Sequence, residues 1–151
     1  MKTEKVLKKY TERGQALVEF SVVIIMILTL LAGVVDLGRA FAATSVLRDA
    51  AQEGANYGMI NPATDSIIIT RARTASTNGL GGPVTLSDTT AVNVDVVITG
   101  CRCANNINLV TVTVRYDQFP ITMPMLGAIL GRQTLHLEAS ETKMIMKPPC
   151  K

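Results

Sequence analysis

Hydrophobic and polar positions follow three regimes along this chain. From Ala16 to Val35 the residues are almost continuously apolar, and Glu19 is the only charged one among them. A run of about 20 residues is what an α-helix needs to cross a hydrocarbon core ~30 Å thick. Asp36 and Arg39 then restore polarity. In the second regime, LGRAFAATSVLRDAAQEGANYG, helix formers dominate and no proline occurs before Pro62. Phe41, Val46, Leu47, Ala50, Ala51 and Gly54 recur at helical spacing as an apolar, small-residue stripe, while Arg39, Arg48, Asp49, Gln52 and Glu53 supply polar surface. A single helix from Gln15 to Tyr57, stopping at Gly58, would be roughly 65 Å long at 1.5 Å per residue. Ala50, Gly54 and Gly58 lie four apart, as do Ala32, Asp36 and Ala40. Such small-residue faces fit beneath a sheet or form a helix–helix seam between subunits, and the two uses can coexist along one helix.

The third regime begins at Asn61-Pro62-Ala63-Thr64-Asp65, which reads as a helix start: an N-cap, a proline at the first position and an acid at the positive end of the dipole. Ile67-Ile68-Ile69 is β-branched and fits a strand as well. A helix from Pro62 to Thr77 is favoured, because Ile68, Ala72 and Ala75 share a face and Asn78-Gly79 is a stop. Beyond the Gly79–Pro83 loop the period changes to two. Val92–Thr99, Leu109–Phe119 and Thr134–Ile145 alternate as half-buried strands, with Leu135, Leu137, Ala139 and Glu141 on one face of the third. Val84–Leu86 could add a short edge, and Met123–Leu130 is an apolar excursion. Three antiparallel strands with one apolar face need a cover, and the distal half of the first helix is the natural one. The expected fold class is therefore α+β: a long N-terminal helix, transmembrane in its first half, whose distal half packs on a small antiparallel sheet. The expected divisions are a cytoplasmic leader (1–14), a transmembrane helix (15–36), its extracytoplasmic continuation (37–60) and an extracytoplasmic α+β domain (61–151).

Charge gives the direction of insertion. The net charge is only +3, too small to call for nucleic acid, and most of the excess lies in Lys2, Lys5, Lys8, Lys9 and Arg13 against Glu4 and Glu12. By the positive-inside rule that end stays in the cytoplasm, and everything after Val35 lies outside the inner membrane. An ordinary secretory signal is cut after its apolar run. Here the small-residue candidate, Gly14, precedes the run, so a cut between Gly14 and Gln15 would leave the whole helix on the mature protein. The competing reading is an uncleaved signal anchor.

A charge well inside a membrane helix costs roughly 2.5–3.5 kcal/mol on insertion scales, less near the interface. Glu19 therefore needs a purpose, and Arg13-Gly14-Gln15-Ala16-Leu17-Val18-Glu19-Phe20 resembles the processing and assembly site of type IV pilin-like proteins. With LAGVVDLGRAF behind it and AAQEGANYG further on, the chain resembles the TadE-like family of tight-adherence (Tad) pilus systems. That resemblance implies a pilin or pseudopilin, cleaved after Gly14 by a prepilin-type peptidase. Its partners would be the inner membrane, other pilin subunits and the pilus assembly machinery, and its assembled form would stand on the cell surface. It further implies that Glu19, followed by Phe20, pairs with the free amine of a neighbouring subunit, here on Gln15. The plainer alternative is a glutamate reaching back to the headgroups. One departure stands out: the family often carries a proline a few residues after the acid, where this chain has Ile24-Ile25-Met26. A helix without that proline is less prone to melt on assembly.

No catalytic constellation is legible. His136 is the only histidine and falls on the strand face opposite Leu135 and Leu137, where a solvated side chain is expected. No Gly-rich loop opens a helix after a strand, so no phosphate-bearing cofactor is indicated. Cys101-Arg102-Cys103 lacks a second ligand pair at zinc-site spacing, so no metal is either. Outside the cytoplasm, three cysteines point to one disulfide and one thiol. In a simple meander the Gly100–Asn106 turn and the tail after the third strand share one end of the sheet. That places Cys150 near Cys101 and Cys103, with Cys103 slightly favoured. Either bridge closes a loop of about 48–50 residues, worth roughly 4 kcal/mol in the chain-entropy model. A functional alternative from another class is a single-pass anchored binding module that never polymerises. A membrane-tethered enzyme lacks candidate residues.

Overall fold

The computed structural model describes residues 2–62, 64–75, 84–100, 108–123, 127–128 and 131–146, with side chains from Gly14 onward. The chain forms two compact units, Met1–Leu37 and Gly38–Lys151. Helix α1 (Lys2–Ile60) contributes to both. It starts at Lys2, ahead of the expected Gln15. The stretch KTEKVLKKYTER is built largely of strong helix formers, and one glycine at position 14 costs only about 1 kcal/mol relative to alanine.

In the second unit α1 is followed by helix α2 (Asp65–Thr74) and strands β1 (Val92–Thr99), β2 (Leu109–Pro120) and β3 (Thr134–Met144). The strands form one antiparallel sheet in the order β1-β2-β3, the meander expected from the alternation. Thr99 pairs with Leu109 and Leu109 with Met144, so β1 and β3 both end where β2 begins. Val92, Val94, Val110, Val112 and Val114 point to the covered face and are buried. Between Tyr116 and Phe119 the register shifts: three steps on β2 match two on β3, from Leu137 to Leu135. This bulge inserts one extra residue and turns Phe119 back into the core. On β3, Leu135, Leu137, Ala139 and Glu141 are the less exposed positions, as the period-two reading requires.

Small residues of α1 cover that face. Ala43, Leu47, Ala50, Ala51 and Ala55 are buried in one cluster with the valines of the sheet and with Ile68 and Ala72 of α2. The contact is close. A Cβ on Gly54 would lie 3.1 Å from both Ala72 Cβ and Val112 Cγ1, and one on Gly58 only 2.9 Å from Val110 Cγ2. The Ala50-Gly54-Gly58 face thus serves packing within the unit. Gly58 does not end the helix as expected. The helix continues to Ile60, and the Asn61 N–H closes the last turn on Tyr57 O at 2.9 Å.

Asn61 completes α1 and lies three residues ahead of the cap of α2. The N-cap is Thr64, in extended conformation, and its carbonyl accepts the N–H groups of Ile67 and Ile68. Helix α2 is accordingly shorter than the Pro62–Thr77 expectation, although Ile68 and Ala72 are its buried residues as anticipated. Two arginines fasten it. Arg71 lies over the Tyr57 ring, 5.3 Å from its centroid, and Arg73 donates to the carbonyls of Leu86 and Val92 at 3.0 and 3.1 Å. Val84 and Leu86 are buried in the core without forming an edge strand; the Leu86 carbonyl serves the arginine. The Gly79–Pro83 loop and the Asn78-Gly79 stop lie outside the described residues, as does most of Met123–Leu130.

Two outcomes follow from this packing. Gly58→Ala should lower the thermal stability of the detergent-solubilised chain. Driving a methyl into the stiff Val110 side chain costs typically 1–3 kcal/mol, more than the helix-propensity gain of about 1 kcal/mol. Gly38→Ala, which meets nothing within 4 Å, should be neutral or stabilising, so a similar melting-temperature drop for both would refute the close-approach account.

The turn into β1 gives the second. Asp88 Oδ1 accepts from Thr90 Oγ1 at 2.6 Å and from the N–H groups of Thr90 and Ala91 at 2.9 and 3.3 Å. The Thr90 side-chain bond, then those two backbone bonds, hold the carboxyl below its ordinary 3.8. A depressed carboxylate stabilises the fold above its unfolded pKa, and the effect is lost as pH falls through the folded value. The melting-temperature gap between the native chain and Asp88→Ala should therefore be open at neutral pH and close below about pH 4.

Candidate functional site

The first unit offers an exposed apolar surface and little else. Leu17, Val18, Phe20 and the side chains on to Val35 are outward, with Phe20 64% and Leu30 71% exposed. A helix that is apolar all round belongs in a large core or in a bilayer, and nothing in this unit buries it. Among the described residues one helix, Gly14–Ile60, is long and apolar enough to cross a membrane. Its backbone suits that medium because the helix satisfies its own N–H and C=O groups. Its hydroxyls are answered internally too. Ser21 Oγ donates to Leu17 O and Thr29 Oγ1 to Ile25 O, both at 2.8 Å.

Glu19 is different. It is exposed and has no hydrogen-bond or ion-pair partner among the described residues. It stands four residues after Gln15, one helical turn away on the same face, and Phe20 beside it is equally open. The Gly14–Gln15 bond lies within α1, where a Cβ on Gly14 would meet nothing within 4 Å. The structure thus brings Gly14, Gln15, Glu19 and Phe20 onto two turns of one exposed helix. Cys101, Cys103 and Cys150 lie outside the described residues, although the strand ends that flank them do share one end of the sheet.

The polar side of the sheet is the other concentration of chemistry. Arg115 pairs with Asp95 at 2.9 Å and Glu138 at 3.4 Å, and His136 with Asp117 at 2.8 Å and Glu138 at 3.4 Å. His136 is on the solvent side as expected, with its ring nitrogens within reach of the Asp117 and Glu138 carboxylates. All these side chains are about half exposed, and such pairs are worth roughly 0–1 kcal/mol each. Thr111–Thr142 and Thr113–Ser140 continue the row across β2 and β3. These are cross-strand pairs of the kind that set register. Among the described residues no three His, Cys, Asp or Glu side chains converge to hold a metal.

Sequence reasoning missed the surroundings of Arg39. This residue is not free polar surface: its guanidinium lies 5.7 Å from the centre of the Phe119 ring and donates to Thr122 Oγ1. Asp36, read as a return to water, is 8% exposed. Open side chains at this level are Leu37 and Phe41, 70% and 77% exposed. Only the absence of acids between Asp117 and Glu138 hinted at the character of this end of the sheet.

The fold and site define a class: an α+β protein led by an exposed apolar helix of membrane-spanning length. A family model, TadE-like protein, matches residues 14–56, which covers the apolar run and the helix that packs on the sheet. The RGQALVEF resemblance and the family match therefore agree over this segment, which is similar to TadE-like proteins. Comparison with curated proteins and with solved structures finds no match.

Proposed function

We propose that this chain is a pilin or pseudopilin of a Tad-type pilus, inserted with its N-terminus in the cytoplasm and assembled through α1. The observation that carries the reading is Glu19: an unpartnered carboxylate on an exposed apolar helix, one turn from Gln15, inside the TadE-like segment. In a bilayer such a group is costly, and carboxylates there are usually paired and functional. A prepilin-type peptidase cuts after Gly14 and frees an amine at Gln15. The amine of one subunit then meets Glu19 of the next and sets the axial register of the filament. The α+β unit faces outward, and Cys150 bridges to Cys103 or Cys101 at the end of the sheet where β2 begins. The anchored module that never polymerises gives the acid no role beyond reaching the headgroups.

Intact-mass measurement and non-reducing peptide mapping of the native protein test processing and disulfide together. The expected product starts at Gln15 and holds a linked Cys150 peptide. A start at Met1, or after the apolar run, refutes the peptidase step; a free Cys150 refutes the bridge.

Glu19→Ala makes the helix more apolar and should leave membrane insertion intact while strongly reducing the chain in sheared surface filaments. Glu19→Gln should be intermediate, keeping a hydrogen bond without the charge. Filament yield equal to native from Glu19→Ala would remove the proposed assembly role, and absence of the native chain from filaments would favour the anchored module.

A further inference from the structure

The α+β unit has an end that does not look built for water. We infer that this end, formed by Phe41 of α1 and the Pro120–Met123 exit of β2, rests in the interface of the bilayer that α1 spans. The inference rests on the membrane-spanning reading of α1 and adds a second contact to it.

Chain connectivity brings the surface there. Arg39 is four residues past Val35, the last of the apolar run, so at most ~3.6 Å per residue it can stand no more than about 14 Å beyond it. Arg39 is fastened to Phe119 and Thr122. Those two contacts therefore hold the end of β2 close to the membrane edge. Pro120 pairs with Thr134, and the Ile121 N–H donates to Gln133 O at 2.9 Å, so the exit is held to the start of β3 as well.

Composition matches the location. From Gln118 to Leu137 the sequence holds no acid, and from Phe119 to Gly131 no charge at all. Its nearest cation, Arg132, is exposed and suits lipid phosphates. Of the acids of the sheet, Asp95, Asp117 and Glu138 are engaged on the opposite side from the core with Arg115 and His136, and Glu141 pairs in register with Val112, farther from this end. Phe41 is an exposed aromatic at the level where aromatic side chains gather at membrane–water boundaries. The Arg39 charge would be costly on such a surface, and the Phe119 ring and Thr122 hydroxyl take it up. Lipid is thus favoured over a neighbouring subunit as the occupant, because the chain's own connectivity supplies it to every copy before any assembly.

The chain has no tryptophan, so single-Trp reporters read cleanly. Four full-length variants reconstituted in vesicles suffice: Leu28→Trp within the apolar run, Phe41→Trp and Ile121→Trp at the proposed contact, and Val97→Trp on the far part of the sheet. Val97 pairs with Thr111, eight residues from Phe119, or roughly 27 Å along the strand. Blue-shifted emission, quenched by lipids brominated high on their acyl chains, is expected at positions 28, 41 and 121 and not at 97. Quenching at 28 with water-like, unquenched emission at both 41 and 121 overturns this inference and spares the membrane reading; no quenching at 28 overturns the membrane reading itself. A shift at 121 that tracks self-association and ignores brominated lipid assigns the surface to a neighbouring subunit and also overturns the inference. Phe41→Trp keeps the test decisive if the half-buried Ile121 position does not tolerate the larger ring.

Discussion

The close approach of α1 to the sheet governs the second unit. Helix axes and sheets pack near only when the intervening side chains are small, and here alanines and two glycines fill the contact against valine γ-methyls. Apart from Leu47, the large fully buried side chains come from the sheet and α2: Phe119, Ile68, Val92, Val110, Val112 and Val114. Full burial of side chains of that size stabilises by about 1.5–3 kcal/mol each. The helix contributes complementarity, so its buried face is fixed within narrow limits. Turning α1 by one residue would swing Gly54 and Gly58 away and drive larger groups into Val110 and Val112.

That fixed rotation decides what α1 shows outward. Within the second unit it leaves Phe41, Ser45, Arg48, Asp49 and Gln52 exposed. It also turns Arg39 toward Phe119 and Thr122. A cation that linear sequence assigns to solvent becomes an internal fastener. The helix therefore sheds its apolar exterior later than its sequence suggests. Charge alone is a poor marker of where a membrane helix ends when the charged side chains have protein partners.

The fold was largely legible from period. Three strands, their meander and their buried faces could be read because valine alternates with polar residues over long runs, and the small-residue stripe named the cover. Boundaries governed by single contacts were not legible. Gly58 carries the usual signal of a helix stop, and only the proximity of Val110 reveals that it is there for space. Asn61 looks like the cap of α2 until its N–H is seen closing α1. The Tyr116–Phe119 bulge breaks the alternation in a way that a period-two reading passes over, yet it returns Phe119 to the core. For the site, Gly14, Gln15, Glu19 and Phe20 were legible because their roles depend on local spacing along one helix. Arg39–Thr122 was not, since it joins positions 83 residues apart.

The apolar segment gains from the same economy of internal satisfaction. Ile24-Ile25-Met26 holds no proline, and α1 passes through it without interruption. Every backbone group there stays bonded within the helix, and Ser21 and Thr29 return their hydroxyls to the preceding turn. Among the described residues, the carboxylate of Glu19 is left without a partner. In the proposed reading, removal of residues 1–14 creates the partner for it. The cut exposes an amine at Gln15 and, at the same point, a new helix N-terminus with about half a positive charge from its unsatisfied N–H groups. Before the cut neither exists, because the helix continues through Gly14 toward Lys2. Processing would thus switch on the attraction between subunits by supplying Glu19 with a partner that the uncut chain lacks.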